Sequence, residues 1–284
     1  MINIIVPCTP NYKKLDIINT VTKPIDIVSQ FIILYSSIKK NWDFDYRISL
    51  FYNKDIPLNE TDFCRLSKLD VDIFSIRSDS QNTPYMLRCN ALTHKLENLS
   101  THKLLLDCDM IAVNKPKFDL SCDWQAQFAG SVINKKDYEY INKKFNYNID
   151  LSNKIVGNLF SKYHKNGYDK RYFPHFNGGA ILIRNSLCEN FKSYTVPSYA
   201  ISHDADVSNA IKHIGVQYGA SFSLIKTSNN WKPFDCGFNY LLKDCISNGY
   251  GPEIFGINNI QLVHYCGSNS VQHLKRYFNE YLEI

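Results

Sequence analysis

The sequence predicts an α/β protein: a mainly parallel, doubly wound sheet flanked by helices, followed by a less regular α+β second half. Three observations carry this. Short apolar runs alternate with helix-period segments over the first 110 residues, and parallel strands joined by crossover helices give that pattern. One apolar run, 103–106, stops abruptly at Asp107-Cys108-Asp109. Beyond it, strand and helix patterns follow one another at uneven spacing. With no internal repeat and no linker composition, residues 1–284 are read as a single domain with halves at 1–110 and 111–284.

Each element follows from local pattern. Residues 3–6 form an apolar strand that Pro7 is expected to end, with a polar loop over 8–14. Pro24 stands where a helix would open, and Ile27, Val28, Phe31, Ile32, Tyr35 and Ile38 recur at helical spacing. Strands are expected at 46–52, 71–76 and 103–106, with helices at 58–69 and from Pro84, the latter carrying Met86, Leu87, Leu92 and Leu96. In the second half, strands are expected at 124–130, 180–184 and 260–265, and helices at 135–145, 204–214 and 271–282. The polar stretch 146–171 reads as an insertion over the site.

Composition narrows the function classes. Hydrophobic residues make up 44% of the chain, which is ordinary for a globular protein and argues against disorder. The net charge is +5 without dense Lys/Arg runs, so nucleic acid is not expected as a partner. That mild positive field favours phosphorylated ligands and leaves room for peripheral contact with an anionic membrane surface. Nine cysteines, an odd number with no CxxC pair, read as reduced thiols in a cytoplasmic protein. The apolar pattern begins directly after Met1, so no leader is read, and no apolar run approaches the roughly 18 residues of a membrane span.

The segment around Asp107-Cys108-Asp109 carries the most chemistry. Two carboxylates one residue apart, just past a buried strand, share one face of a turn, and hard oxygen ligands suit Mg²⁺ or Mn²⁺. Such triplets are also common as solvated turns; the apolar strands on both sides favour a site. Ligands of doubly wound sheets bind at the carboxyl ends of strands, where both this triplet and the loop after the first strand lie. His264, alone, reads as a structural histidine after an apolar run. Asn177-Gly178-Gly179 reads as a tight turn or as a place where backbone approaches a ligand closely.

Taken in order, four segments resemble the GT-A glycosyltransferases, most nearly family 8, the glycogenin and lipooligosaccharide galactosyltransferase type. They are the first strand and loop, the Leu106-Asp107-Cys108-Asp109 segment, residues 176–184 (FNGGAILIR) and residues 262–267 (LVHYCG), together spanning about 3–270. The resemblance implies a hexosyltransferase that uses a nucleotide sugar, expected to be a UDP-sugar, and a hydroxyl acceptor on a glycan, lipid or protein. It implies Mn²⁺ (or Mg²⁺) held by Asp107, Asp109 and His264, in a nucleotide-binding half at 1–110 and an acceptor and sugar half at 111–284. It places Pro7, Thr9, Tyr12, Arg88, Cys108, Asn177, Gly178, Gly179, Asp204 and Gly267 against the donor, with Tyr12 a candidate to stack on the base. Asp204, Asp206 and Asn177 become the candidate catalytic residues.

The chain also departs from that family. Ala205 replaces the glutamine between the two aspartates of residues 204–206, and Ser268-Asn269-Ser270 replaces the family's Lys-Pro-Trp. Retention of configuration is what the family implies; an inverting transferase with Asp204 or Asp206 as base stays open, as does a non-catalytic nucleotide-sugar-binding module. A nucleotidyltransferase would need a glycine-rich loop after the first strand, and residues 7–14 contain no glycine. A haloacid-dehalogenase phosphatase carries its DxD after the first strand rather than beyond residue 100. Acceptor or membrane contacts are sought in 146–171 and around Lys275, Arg276, Tyr277, Phe278 and Tyr281. Oligomeric state is left open.

Overall fold

A computed structural model of the 284-residue chain describes residues 1–8, 25–77, 84–97, 100–129, 135–149, 175–199, 209–265 and 270–282. They group into two compact units, Met1–Phe118 with Asp235–Ile284, and Asp119–Phe234.

The first unit contains the expected parallel sheet. Strand β1 (Ile2–Cys8) pairs in parallel with β2 (Tyr46–Asn53) and with β4 (His102–Leu106), and β2 pairs in parallel with β3 (Asp72–Ile76). Ile4, Ile5 and Val6 are wholly buried because β1 is flanked on both edges and covered on both faces. Pro7 does not end the strand as expected. Pairing with β4 stops at Ile5, so Pro7, which has no N–H to donate, lies where only β2 runs alongside. The polar Asn3 is tolerated in this strand because its Nδ2 donates to Ser100 Oγ at 2.7 Å, just ahead of β4.

Helix α1 (Ile27–Asn41) is capped by Asp26, which accepts from Ser29 N at 2.8 Å, and ends in Lys39 and Lys40, favourable at the negative end of the helix dipole. Its buried stripe is Val28, Phe31, Ile33, Leu34, Ser37 and Ile38 rather than the set anticipated; Ile32 and Tyr35 are only half-buried. Helix α2 (Glu60–Leu66), capped by Asn59, is shorter than anticipated. Helix α3 (Pro84–Thr93) ends in a buried cation: Lys103 of β4 donates to the carbonyls of Leu92 (2.5 Å) and His94 (2.8 Å), capping groups that the helix leaves unpaired.

A second, three-stranded sheet completes this unit, in the order β5 (Met110–Ala112), β10 (Leu262–His264), β9 (Tyr240–Leu241). The end of α1 satisfies the outer edge of β5: Ser37 Oγ accepts from Ala112 N at 2.9 Å, and Asn41 Nδ2 donates to Ala112 O at 2.8 Å. Beside these strands lie α7 (Leu242–Ser247), α8 (Pro252–Phe255) and α9 (Ser270–Tyr277). The terminal helix is shorter than the expected 271–282, and Phe278 and Tyr281 are buried, which removes both from the candidate acceptor or membrane contacts.

In the second unit, β6 (Trp124–Phe128) pairs antiparallel with β7 (Phe176–Arg184) and in parallel with β8 (Trp231–Pro233). Aromatic packing cements this sheet: Trp124 stacks on Trp231 at 4.7 Å between centroids and meets Phe176 edge-on at 5.2 Å. Helix α4 (Lys135–Lys144) precedes the undescribed segment, and α5 (Cys188–Tyr199) and α6 (Asn209–Thr227) follow β7. Buried Thr195 and Ser223 hydroxyls bond α5 to α6 at 2.7 Å, and Ser221 Oγ accepts from Phe176 N, tying α6 to β7. The reading of 146–171 as an insertion lies mostly outside the described residues. No helix among the described residues is long and apolar enough to cross a membrane.

Candidate metal centre

The site begins where β4 ends. Five buried residues deliver the chain to Asp107, and β5 resumes at Met110, so 107–109 form a turn between the two sheets of the first unit. Cys108, at its centre, points inward: it is buried and its Sγ donates to Pro7 O at 3.4 Å. The flanking carboxylates therefore share the opposite face, with side chains 21% (Asp107) and 26% (Asp109) exposed. The neighbouring Cys8 thiol, burial and the charge of Asp109 hold the Cys108 thiol well above the ordinary thiol range, so it stays neutral and acts as an anchor.

His264 reaches the same point from β10. The antiparallel register sets His264 opposite Met110, and Tyr265 N donates to Asp109 O at 3.0 Å. Its Nε2 lies 3.4 Å from Asp109 Oδ1 and 4.0 Å from Asp107 Oδ2. One ligand atom from each residue falls within 4.8 Å of the other two. Octahedral bonds of ~2.1 Å put neighbouring ligands about 3 Å apart and opposite ones about 4 Å apart, and both measured separations lie in that interval. Two hard oxygens and one imidazole nitrogen fit Mn²⁺ or Mg²⁺, and the side chains present fit the group that the resemblance implies.

Arg88, projecting from α3, forms an ion pair with Asp107, so it belongs to this cluster. Burial pushes the Asp109 carboxyl up, but the His264 ring and the Arg88 guanidinium more than offset this and hold it below the usual carboxylate range. Asp109 is thus kept ionised, the form that ligates a cation.

The remaining expected residues fall in two groups. Pro7 touches the turn through its carbonyl, as described. Asn177, Gly178 and Gly179 lie inside β7, in the second unit, not in a turn ahead of a strand at Ala180; the strand starts four residues earlier, and Asn177 Oδ1 accepts from Gly179 N at 2.8 Å. Thr9, Tyr12, Asp204, Asp206 and Gly267 lie outside the described residues. Two residues that support the framework of the site do not stand out from sequence. Lys103 reads only as part of a strand. Asn239, whose Oδ1 is 3.0 Å from His264 Nδ1, stands just before a two-residue strand too short to show a pattern.

The fold is of the GT-A glycosyltransferase type, and the Asp107-Cys108-Asp109 turn lies at the end of its fourth strand. Comparison with known proteins finds no family model and no curated sequence that matches, but solved structures do. The glycosyltransferase GlyE of Streptococcus pneumoniae is similar over 99% of this chain, with 12% identity and a TM-score of 0.54. The galactosyltransferase LgtC, solved with donor and acceptor sugar analogues, is similar over 99% of this chain and 95% of its own, with 12% identity and a TM-score of 0.51. The bifunctional glycosyltransferase WbbM is similar over 94% of this chain, with 11% identity and a TM-score of 0.54. The chain spans only 60% of the GlyE chain and 46% of the WbbM chain.

Proposed function

We propose that this protein is a divalent-metal-dependent hexosyltransferase that moves sugar from a nucleotide sugar, in the first instance a UDP-sugar, to a hydroxyl acceptor. The observation that carries the reading is the convergence of Asp107, Asp109 and His264, from two different sheets, on one point at the carboxyl end of β4. The likeness in fold to LgtC, solved with donor and acceptor sugar analogues, supports a bisubstrate reaction.

Asp107, Asp109 and His264 would hold the ion. A bound Mn²⁺ or Mg²⁺ supplies Lewis-acid charge that stabilises a departing diphosphate. The protein's own groups do the rest. Arg88, already at the carboxylate cluster, brings a fixed positive charge to the place where negative charge develops on the leaving group. Cys108 and Tyr265 lock the turn from below, so the carboxylates meet a ligand without reorganising. The family resemblance makes Asn177, Gly178, Gly179 and Asp204 the proposed sugar contacts. Retention follows from the family resemblance; in the inverting alternative, Asp204 or Asp206 takes the acceptor proton.

A panel of nucleotide sugars tested for Mn²⁺-dependent thermal stabilisation checks the proposal. A donor at 100 times its dissociation constant should add about 2.7 kcal/mol, and Asp109→Ala should abolish the effect. No Mn²⁺-dependent shift with any donor would refute it. NMR of the product anomer separates retention from inversion.

A further inference from the structure

We propose that Asn239 is the positioning residue for His264: it fixes the imidazole proton on Nδ1, so that Nε2 presents its lone pair to an ion between Asp107 and Asp109. The inference rests on the metal-site reading above and adds a residue that no family motif supplies.

The geometry sets the two groups face to face. His264 Nδ1 and Asn239 Oδ1 are 3.0 Å apart, and both residues are buried, at 5% and 0% exposure. An amide oxygen can only accept, so the ring nitrogen facing it must carry the hydrogen. In the neutral ring the other nitrogen is then bare, and Nε2 is the atom that faces the two aspartates. The opposite tautomer would place N–H toward the ion and a lone pair against Asn239 Oδ1, losing both interactions.

The backbone shows how firmly this contact is held. Asn239 has φ +60°, a conformation that disfavours most residues with a Cβ. Asn146 and Asn148 share it, but on exposed ground after α4; Asn239 adopts it in the interior. Glycine would meet the backbone requirement more easily but offers no acceptor, whereas asparagine answers both demands. The segment before it is fixed as well. Gly237 O accepts from Gln261 N (2.8 Å) and Leu262 N (3.1 Å), and Phe238 packs its ring against Trp42 and Phe118. Next, Tyr240 and Leu241 pair with Val263 and His264. Asn239 is thereby held beside the ring it orients.

The test compares wild type, Asn239→Gly and Asn239→Asp by ring-nitrogen NMR and by Mn²⁺ titration followed by electron paramagnetic resonance. His264→Gln assigns the ring signals. Wild type should show hydrogen on Nδ1 and a bare Nε2. Asn239→Gly keeps the positive φ and should fold, yet bind Mn²⁺ roughly 10–100-fold more weakly. Asn239→Asp retains both the acceptor and the tolerated φ and should restore affinity to near wild type. Hydrogen on Nε2 in the wild type, or Asn239→Gly binding Mn²⁺ as tightly as wild type, overturns the inference. A wild type with hydrogen on Nδ1 that binds no Mn²⁺ supports the tautomer assignment and overturns the metal reading instead.

Discussion

Gly237→Ala should be among the most damaging single-methyl additions to the first unit. A Cβ built on Gly237 would lie 1.7 Å from Asn259 O, 2.8 Å from Asn259 C and 3.2 Å from Ile260 Cα. All three are backbone atoms, so no side chain can swing aside. The two segments must part, and parting them strains or breaks the bonds that Gln261 N and Leu262 N make to Gly237 O. Two such bonds are worth about 1 kcal/mol each and overpacking adds about 1–3 kcal/mol, so the expected loss is about 3–5 kcal/mol. At about 2–4 °C per kcal/mol for a chain of this size, the melting temperature should fall on the order of 10 °C. Urea denaturation provides the free energy, and Mn²⁺ titration should show affinity falling with it, because Asn239 is two residues away. Gly249 is a control for the opposite reason: it has φ +79° but open space around its Cβ position, so Gly249→Ala should cost only about 1–2 kcal/mol and leave Mn²⁺ binding intact. A loss below about 1 kcal/mol for Gly237→Ala, with unchanged affinity, would refute the idea that this close approach sets the register of β9 and β10.

Two further outcomes test the framework around the site. Lys103→Met removes the cation that caps α3 and leaves the carbonyls of Leu92 and His94 without it; urea melts should show a loss of about 2–4 kcal/mol. In the second unit, Asp123 accepts from Ser228 Oγ at 2.6 Å and Arg184 Nε at 2.9 Å, and these bonds, Ser228 first, hold its carboxyl below the usual range against the push of burial. A folded-state pKa below the unfolded one means stability that is present above the unfolded value, about 4, and lost as pH falls through the folded value. Asp123→Asn should therefore be less stable at neutral pH, and its urea midpoint should fall less between neutral pH and about pH 3 than that of wild type.

The first half was legible because its elements are long and flanked on both sides. Residues 48–51 and 103–106 are buried runs that a core strand explains, and Asp107 stands out because it interrupts one. His264 was legible only through its motif. Its support was not: β9 has two residues, and alternation needs more than that to register. Helix α5 was missed for a different reason, since Thr195, Val196 and Pro197 fall within it and each argues locally against a helix. Ser37 and Asn41 looked like ordinary polar positions of an amphipathic helix, although both are spent on the free edge of β5. The strand beginning at Phe176 was shortened because two adjacent glycines read as a turn; the bulge between Ala126 and Phe128 in the partner strand shows where the ladder is irregular instead.

The placement of the centre between the two sheets of the first unit has a mechanical logic. Asp109 and His264 come from distant parts of the chain, and a single ladder, β5 with β10, brings them together. Side chains alternate along a strand, so a one-residue slip of β10 would turn His264 away and replace it with an apolar neighbour, Val263 or Tyr265. Three devices oppose that slip. Ser37 and Asn41 of α1 hold Ala112 at the outer edge, Tyr265 N is bonded to Asp109 O, and Gly237 clamps the start of β10 from the other side. None of the three uses a ligating side-chain atom. Each fixes backbone, and backbone register is what decides whether two carboxylates and one imidazole meet an ion ready-made or must be gathered around it at the entropic cost of ordering them.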